Sequence, residues 1–216
     1  MTTRPADHHE ESDDNNFGDN SYDEIYRDNA DSGGPPWEIG GPQPAIRSLL
    51  DQVKGPRVLD IGCGTGDLSL ELARRGLAVT AIDISRVAIG MAKAKAEEEG
   101  LQVDFRVQDA SQLDLDSAMF DAVFDSGLLH GMSDAERDGY LARLSDVCAT
   151  EATLVVLAVS LEADQGWGVT AEWLGEVFAP PTWAGTSIDD VEVAAEMGGR
   201  QLSLPGFLLS TQRASP

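Results

Sequence analysis

From Arg57 onward the chain alternates short apolar runs with stretches whose apolar side chains recur every three or four residues. The short runs are rich in Val, Ile, Leu and Ala and are bounded by glycine or polar clusters, which reads as strands buried on both faces. They fall near residues 57–61, 78–83, 102–107, 120–125 and 152–159. Helical periodicity fills the intervals, near residues 66–75, 86–99 and 134–149. The last of these opens on a capping box, Ser133-x-x-Glu136, and turns Leu141, Leu144, Val147 and Cys148 inward. This alternation predicts the α/β class, a mostly parallel sheet with helices on both faces. After a helix near residues 170–178 the order changes to two strand-like pieces in succession, 190–195 and 204–212. They predict a hairpin edge with at least one strand antiparallel to the rest.

The first fifty residues follow another pattern. Residues 1–20 are polar, acidic and nearly free of aliphatic side chains, so they bury too little surface to offset the entropy of ordering and are expected to form a disordered tail. Ser21-x-x-Glu24 resembles a capping box, and Tyr22, Ile25 and Tyr26 would share one face of a short helix. Gly33-Gly34-Pro35-Pro36-Trp37 and Gly40-Gly41-Pro42 read as an extended arm, after which Pro44 opens an amphipathic helix with Ile46, Leu49, Leu50 and Val53 and an end near Gly55. Three segments result: the tail at 1–20, an arm and helix at 21–54, and one α/β domain at 55–216.

Charge narrows the partners. The formal net charge is −23 over 216 residues, and the ten acidic residues up to Asp31 account for the smaller part of it. A protein that binds by neutralising phosphates needs surplus Lys and Arg, so nucleic acid and anionic membranes are not expected partners. No apolar run is long enough to span a bilayer, and the N-terminus is not a signal sequence, which points to a cytoplasmic protein. Cys63 and Cys148 are too few for a disulfide framework, and His8 and His9 lie in the polar tail, so no metal site is predicted.

The chemistry begins where the first strand runs into Asp60-Ile61-Gly62-Cys63-Gly64-Thr65-Gly66 and then a helix. Alternate glycines let the backbone approach a ligand at the carboxyl ends of the strands. Asp83 closes the next strand twenty-one residues beyond Gly62, the spacing at which an acid commonly meets ribose hydroxyls. A dinucleotide site would carry G-x-G-x-x-G, but position 67 is Asp, and an acid at the helix start faces a pyrophosphate badly. A nucleoside ligand without phosphates fits better.

Residues 58–66, Asp83, Asp109 and the segment from Phe120 to His130 resemble the successive motifs of class I S-adenosylmethionine-dependent methyltransferases. The resemblance implies a Rossmann-like seven-stranded sheet whose last strand is antiparallel. It implies that Asp60, Gly62, Cys63 and Gly64 hold the methionine part of S-adenosyl-L-methionine, that Asp83 and Ile84 hold the ribose, and that Asp109 and Ala110 meet the adenine. Asp125 and Ser126 would reach the reaction centre. The arm around Trp37 and the run Asp125 to His130 are similar to those of small-molecule methyltransferases of the thiopurine, halide/thiol and heterocycle N-methyltransferase kind, in which the arm closes over the cofactor. Trp37 would then touch the cofactor or stack on a flat acceptor, with Tyr22, Tyr26 and Trp167 also on the acceptor side.

Methyl displacement from a sulfonium needs mainly proximity and alignment, and a nearby base where the acceptor carries a proton. His130, with Asp125, is the candidate for that role because its ordinary pKa is near neutral. Whether it acts as a base or only packs and bonds to substrate stays open. One departure is plain: the Pro-Gly-Gly usual before the fifth strand is replaced by Ala149-Thr150-Glu151-Ala152. The expected activity is methyl transfer to N, O or S of a small aromatic or heteroaromatic molecule, by a monomer or homodimer. Halide or thiol methylation and a non-catalytic cofactor-binding partner protein are the alternatives.

Overall fold

In a computed structural model, residues 19–30, 33–115 and 119–215 are described. Seven strands, β1 (Arg57–Ile61), β2 (Ala78–Asp83), β3 (Asp104–Val107), β4 (Phe120–Ser126), β5 (Cys148–Val159), β6 (Trp183–Met197) and β7 (Arg200–Arg213), form one sheet. Its order is β3-β2-β1-β4-β5-β7-β6. The first five strands are mutually parallel, and β7 runs antiparallel to both neighbours, so β6 is parallel to the rest. The predicted hairpin edge is therefore present. It is longer than its apolar positions suggested because Gly198 and Gly199, at φ 59° and 74°, make the tight turn and paired backbone carries polar residues as readily as apolar ones.

Helices α1 (Asp19–Asp28), α2 (Pro44–Arg47), α3 (Asp67–Arg74), α4 (Arg86–Glu99), α5 (Asp134–Val147) and α6 (Ala171–Val177) complete the fold. Side chains alternate along each strand, so the sheet divides its apolar residues between two layers. Val58, Ala122, Phe124, Val155 and Leu157 pack under α3 and α4, with Leu70, Leu72, Ile89 and Ala92. Leu59, Ile61, Val123, Leu154 and Val156 pack under α5 and α6, with Leu144, Val147, Leu174 and Phe178. The same alternation sends Asp60 to the first face and Asp125 to the second.

Two expectations are corrected, and the departure before the fifth strand takes the form of a changed turn. The tail lies outside the described residues except for Asp19 and Asn20, which open α1, so Ser21 stands inside the helix instead of capping it. The amphipathic helix over 44–54 is two pieces, α2 and a 3-10 turn at Leu50–Gln52, because past Arg47 the backbone N–H groups bond three residues back, Leu49 to Ile46 and Gln52 to Leu49; Ile46 and Leu50 still reach the core. At the missing Pro-Gly-Gly, α5 passes straight into β5 with Glu151 at φ 62°, and the β4–β5 register shifts between Phe120 and Ala122.

Candidate active site

The carboxyl ends of β1, β2, β4 and β5 lie side by side, and strand order reverses between β1 and β4. At such a switch point the connecting loops part and leave a crevice. The glycine loop forms one wall. Gly62 and Cys63 donate their N–H groups to the Ile82 carbonyl at 2.8 and 2.9 Å, bending the chain back over β2. Gly62 (φ 71°), Gly64 (φ 54°) and Gly66 (φ 86°) all take left-handed backbone that other residues adopt at a cost. Gly66 also admits α4: a β-carbon there would stand 3.0 Å from the side chains of Ala92 and Phe105.

Asp83 accepts from the backbone N–H of Gly64 at 2.9 Å and of Ser85 at 2.8 Å, so β2 fixes the glycine loop from below. Burial, together with the charges of Glu38 and Asp23, pushes its carboxyl up to about 6. Asp60 is buried, and Ser69 of α3 donates to its Oδ2 at 2.5 Å. Its Oδ1 has no partner among the described residues, and burial pushes the acid up to about 7. Asp109 caps the turn at Ala110–Gln112 by accepting from Ser111 N–H at 2.8 Å, and Ala110 is buried beside it. Ile84 follows Asp83 at the mouth. Cys63 is buried, its thiol raised well above its ordinary pKa. Asp67 turns away from the loop and pairs with Lys95 of α4 at 2.7 Å. Its charge is thus balanced, and the glycine spacing alone argues against a pyrophosphate.

The arm roofs this wall, and beside the expected Trp37 and Tyr26 it does so through Glu38, Asp23 and Gln43, which no sequence pattern marks. Glu38 accepts from Thr65 N–H at 3.0 Å and from Thr65 Oγ1 at 2.5 Å, while Lys95 donates to the same hydroxyl at 2.6 Å. Trp37 Nε1 donates to the Tyr26 hydroxyl at 2.9 Å, and the two rings meet edge to face with centroids 6.1 Å apart. Helix α1 is seated by Asp23, which accepts from Ser85 Oγ at 2.7 Å and from Val87 N–H at 3.1 Å at the start of α4. The other end of the arm is tied to β6: Glu196 N–H donates to Pro36 O at 2.7 Å, and buried Gln43 exchanges two hydrogen bonds with the Ala194 backbone. Tyr22 lies where the charges of both Asp83 and Glu136 act on it, with burial the larger cause of its raised pKa.

The opposite wall is the loop after β4. Asp125, fully buried on the α5 face, accepts from Leu128 N–H at 2.8 Å, from Leu129 N–H at 3.2 Å and from the Tyr140 hydroxyl at 3.0 Å. These bonds curl residues 126–130 around the carboxylate, and burial pushes the acid up to about 6. Tyr140 escaped the helical reading because its hydroxyl suited a surface position as well as a core one. His130 ends the loop, stacked on Trp167 with centroids 5.0 Å apart and planes 16° apart. Burial, helped by the charge of Arg137, drives its imidazole down to about 4, well below the near-neutral value on which its candidacy as base rested. The structure gathers Tyr26, Trp37 and Glu38 at Gly64, and His130 with Trp167 on the other side. Trp37, 45% exposed, is bonded into the first group.

A family model described as "Methyltransferase domain" matches residues 58–151. A solved structure described as "Conversion of a Disulfide Bond into a Thioacetal Group during Echinomycin Biosynthesis" is 31% identical, with a TM-score of 0.79 over 90% of this chain and 92% of that one. A 2-heptyl-1-hydroxyquinolin-4(1H)-one methyltransferase of Mycobacteroides abscessus is 40% identical over 125 residues, 57% of this chain and 55% of its own. The chain spans about half the length of the curated relatives it matches. The same fold, at 20% identity, TM-score 0.68 and coverage of 91% and 87%, is seen in the Burkholderia thailandensis 1,6-didemethyltoxoflavin-N1-methyltransferase with bound 1,6-didemethyltoxoflavin and S-adenosylhomocysteine. The chain belongs to the class I S-adenosylmethionine-dependent methyltransferases.

Proposed function

We propose that the protein transfers the methyl group of S-adenosylmethionine to a small, flat aromatic or heteroaromatic acceptor. The observation that carries this reading is the contact between the two walls. A β-carbon on Gly62 would stand 3.0 Å from Leu128 Cβ, so a ligand lying on the glycine loop is adjacent to the loop that ends in His130. The site suits this cofactor on two further counts. A β-carbon on Gly64 would come within 2.6 Å of Glu38 and 2.9 Å of Tyr26, so the crevice narrows to backbone width where the methionine part would lie. Asp60 Oδ1 is a buried acceptor without a donor among the described residues.

In this reading Asp60, Gly62, Cys63 and Gly64 hold the amino acid part, Asp83 and Ile84 the ribose, and Asp109 and Ala110 the adenine. Tyr22, Tyr26 and Trp37 form the roof that excludes water. Asp125 and Ser126 fix the loop that carries His130, and His130 and Trp167 face the acceptor. When bound, the cofactor supplies an electrophilic methyl carbon on a sulfonium. The protein's own share is alignment in a dry site lined by carboxylates that favour a cationic ligand. His130, neutral at physiological pH, positions the acceptor more readily than it takes up a proton. The similarity to a 2-heptyl-1-hydroxyquinolin-4(1H)-one methyltransferase, and to a ubiquinone biosynthesis O-methyltransferase of Xanthomonas axonopodis, supports the aromatic class.

Calorimetry tests the first step: micromolar binding of S-adenosylmethionine and none of NAD is expected, and the reverse result would end the reading. Release of S-adenosylhomocysteine with a panel of hydroxyquinolines, azoles, thiols and iodide then sorts the acceptor class. Turnover of iodide alone would select the halide alternative, and binding without turnover of any acceptor would select a non-catalytic partner protein.

A further inference from the structure

Behind the His130 loop lie two buried polar atoms that nothing in the site described so far uses: His130 Nδ1 and Arg137 Nε, both without a partner among the described residues. Arg137 projects from α5. Its Nη2 donates to the Met132 carbonyl at 2.9 Å, and its guanidinium lies over the Trp173 ring, 5.1 Å from the centroid. Its Asp134 neighbour is 3.5 Å away and almost wholly exposed, so that pairing offsets little of its charge. The nearby Glu136 carboxylate is engaged by Ser133 through its N–H at 2.9 Å and its Oγ at 2.6 Å. Arg137 therefore brings a positive charge to a wall otherwise supplied with acids, in a chain of net charge −23.

A buried N–H without an acceptor is destabilising, and such a cost persists where a ligand relieves it. The group covering His130 is also informative. Trp167 stacks nearly parallel on the imidazole while remaining 38% exposed, and its neighbours Gly166 (φ 79°) and Gly168 (φ 142°) both take conformations that favour glycine. The segment is held at its ends, by Leu161 N–H to Val169 O at 3.0 Å and Val169 N–H to Val159 O at 3.0 Å.

We infer that the acceptor is a planar ring bearing an ionised oxygen or sulfur, which takes the place of the Trp167 indole on His130 and sets its anionic atom, at the ring's edge, against Arg137 Nε. This deepens the methyl-transfer reading and rests on it. Trp167 marks the position and shape of the acceptor ring, and Arg137 selects its charge. An acceptor that arrives ionised has no proton to lose. Its lone pair forms the new bond to the methyl carbon as the carbon–sulfur pair stays on sulfur, so anion and sulfonium give two neutral products, and a histidine held neutral meets the requirement.

The test uses the full chain with 7-hydroxycoumarin, which is planar and fluoresces as its anion, and 7-methoxycoumarin, its neutral counterpart. Tryptophan quenching should show the hydroxy compound binding at least tenfold more tightly, with the bound anion fraction raised. Arg137→Gln should abolish the preference and Arg137→Lys retain much of it, both with unchanged far-ultraviolet circular dichroism. Trp167→Ala should tighten binding, since no indole then has to be displaced. Equal affinity for the two compounds, a preference indifferent to Arg137→Gln, or lost binding in Trp167→Ala would each overturn the inference. Calorimetry with S-adenosylmethionine on the same samples keeps the outcomes separate: failure there refutes the methyl-transfer reading, whatever the coumarins show.

Discussion

Replacing Tyr140 by Phe removes one hydroxyl from a fully buried position and leaves the packing of α5 unchanged in shape. That hydroxyl donates to Asp125 Oδ2 at 3.0 Å, the remaining contact of that oxygen being the 3.2 Å bond from Leu129. A hydrogen bond to a charged group contributes about 1.5–3 kcal/mol, against about 0.5–1.5 kcal/mol between neutral groups. Since the Asp125 carboxyl is pushed up to about 6, it is ionised at pH 8 and largely protonated at pH 5. Tyr140→Phe should therefore cost about 2 kcal/mol at pH 8 and about 1 kcal/mol at pH 5. At roughly 2–4 °C per kcal/mol for a chain of this size, the pH 8 figure is a fall in Tm of about 4–8 °C. Urea unfolding followed by tryptophan fluorescence at both pH values reads these numbers. Combining the change with Asp125→Asn should show strong coupling in a double-mutant cycle. A cost below about 0.5 kcal/mol at pH 8, or one that does not vary with pH, would refute the assignment of Asp125 as the charged centre around which the His130 loop is wound.

Gly64→Ala would put a β-carbon 2.6 Å from Glu38 in left-handed backbone, so the arm should be displaced and S-adenosylmethionine affinity fall at least tenfold while the sheet still forms; calorimetry with unchanged affinity would contradict the seating of the arm there. Gln43→Ala leaves the N–H and carbonyl of Ala194 without their side-chain partner, and limited proteolysis should then cut residues 33–42 faster than in the parent chain. In the ligand-free protein Asp60, Asp83 and Asp125 are all raised, to about 7, 6 and 6. The folded state holds their protons at pH values where the unfolded chain has released them, so their contribution to stability falls as pH rises from about 4 to 7. His130, held down at about 4, acts in the opposite sense below pH 6.5 but is one group against three. Thermal melts should give a higher Tm at pH 5.5 than at pH 8, and an equal or lower value would show that the carboxylates do not govern the balance.

The parts legible in the sequence were those where local chemistry and global position agree. Residues 78–83 read as a strand and are one, because an apolar run flanked by Gly76 and Ser85 has no competing local structure. The capping box at Ser133 is present in full for the same reason. The glycine loop was legible because three left-handed positions require glycine wherever the loop sits. What escaped depends on residues that meet only after folding. Glu38 on Thr65, Tyr140 on Asp125 and the charge of Arg137 acting on His130 join segments whose spacing carries no periodic signal. The lowered His130 pKa is not legible in the sequence because the value of a free imidazole contains no burial. Ser21 looked like a cap because its pattern is correct in isolation, while the helix begins earlier, at Asp19.

The bonds between the arm and β6 also bear on the order in which the protein is made and finished. Pro36 and Gln43 find their partners at Glu196 and Ala194, some 150 residues later in the chain. The five parallel strands and the glycine loop are synthesised before those partners exist, and loops of such length close late. The β6 side of the roof over the proposed cofactor site can thus be tied down only once residue 196 has been made, so a growing chain can pair its first five strands well before it holds a ligand firmly.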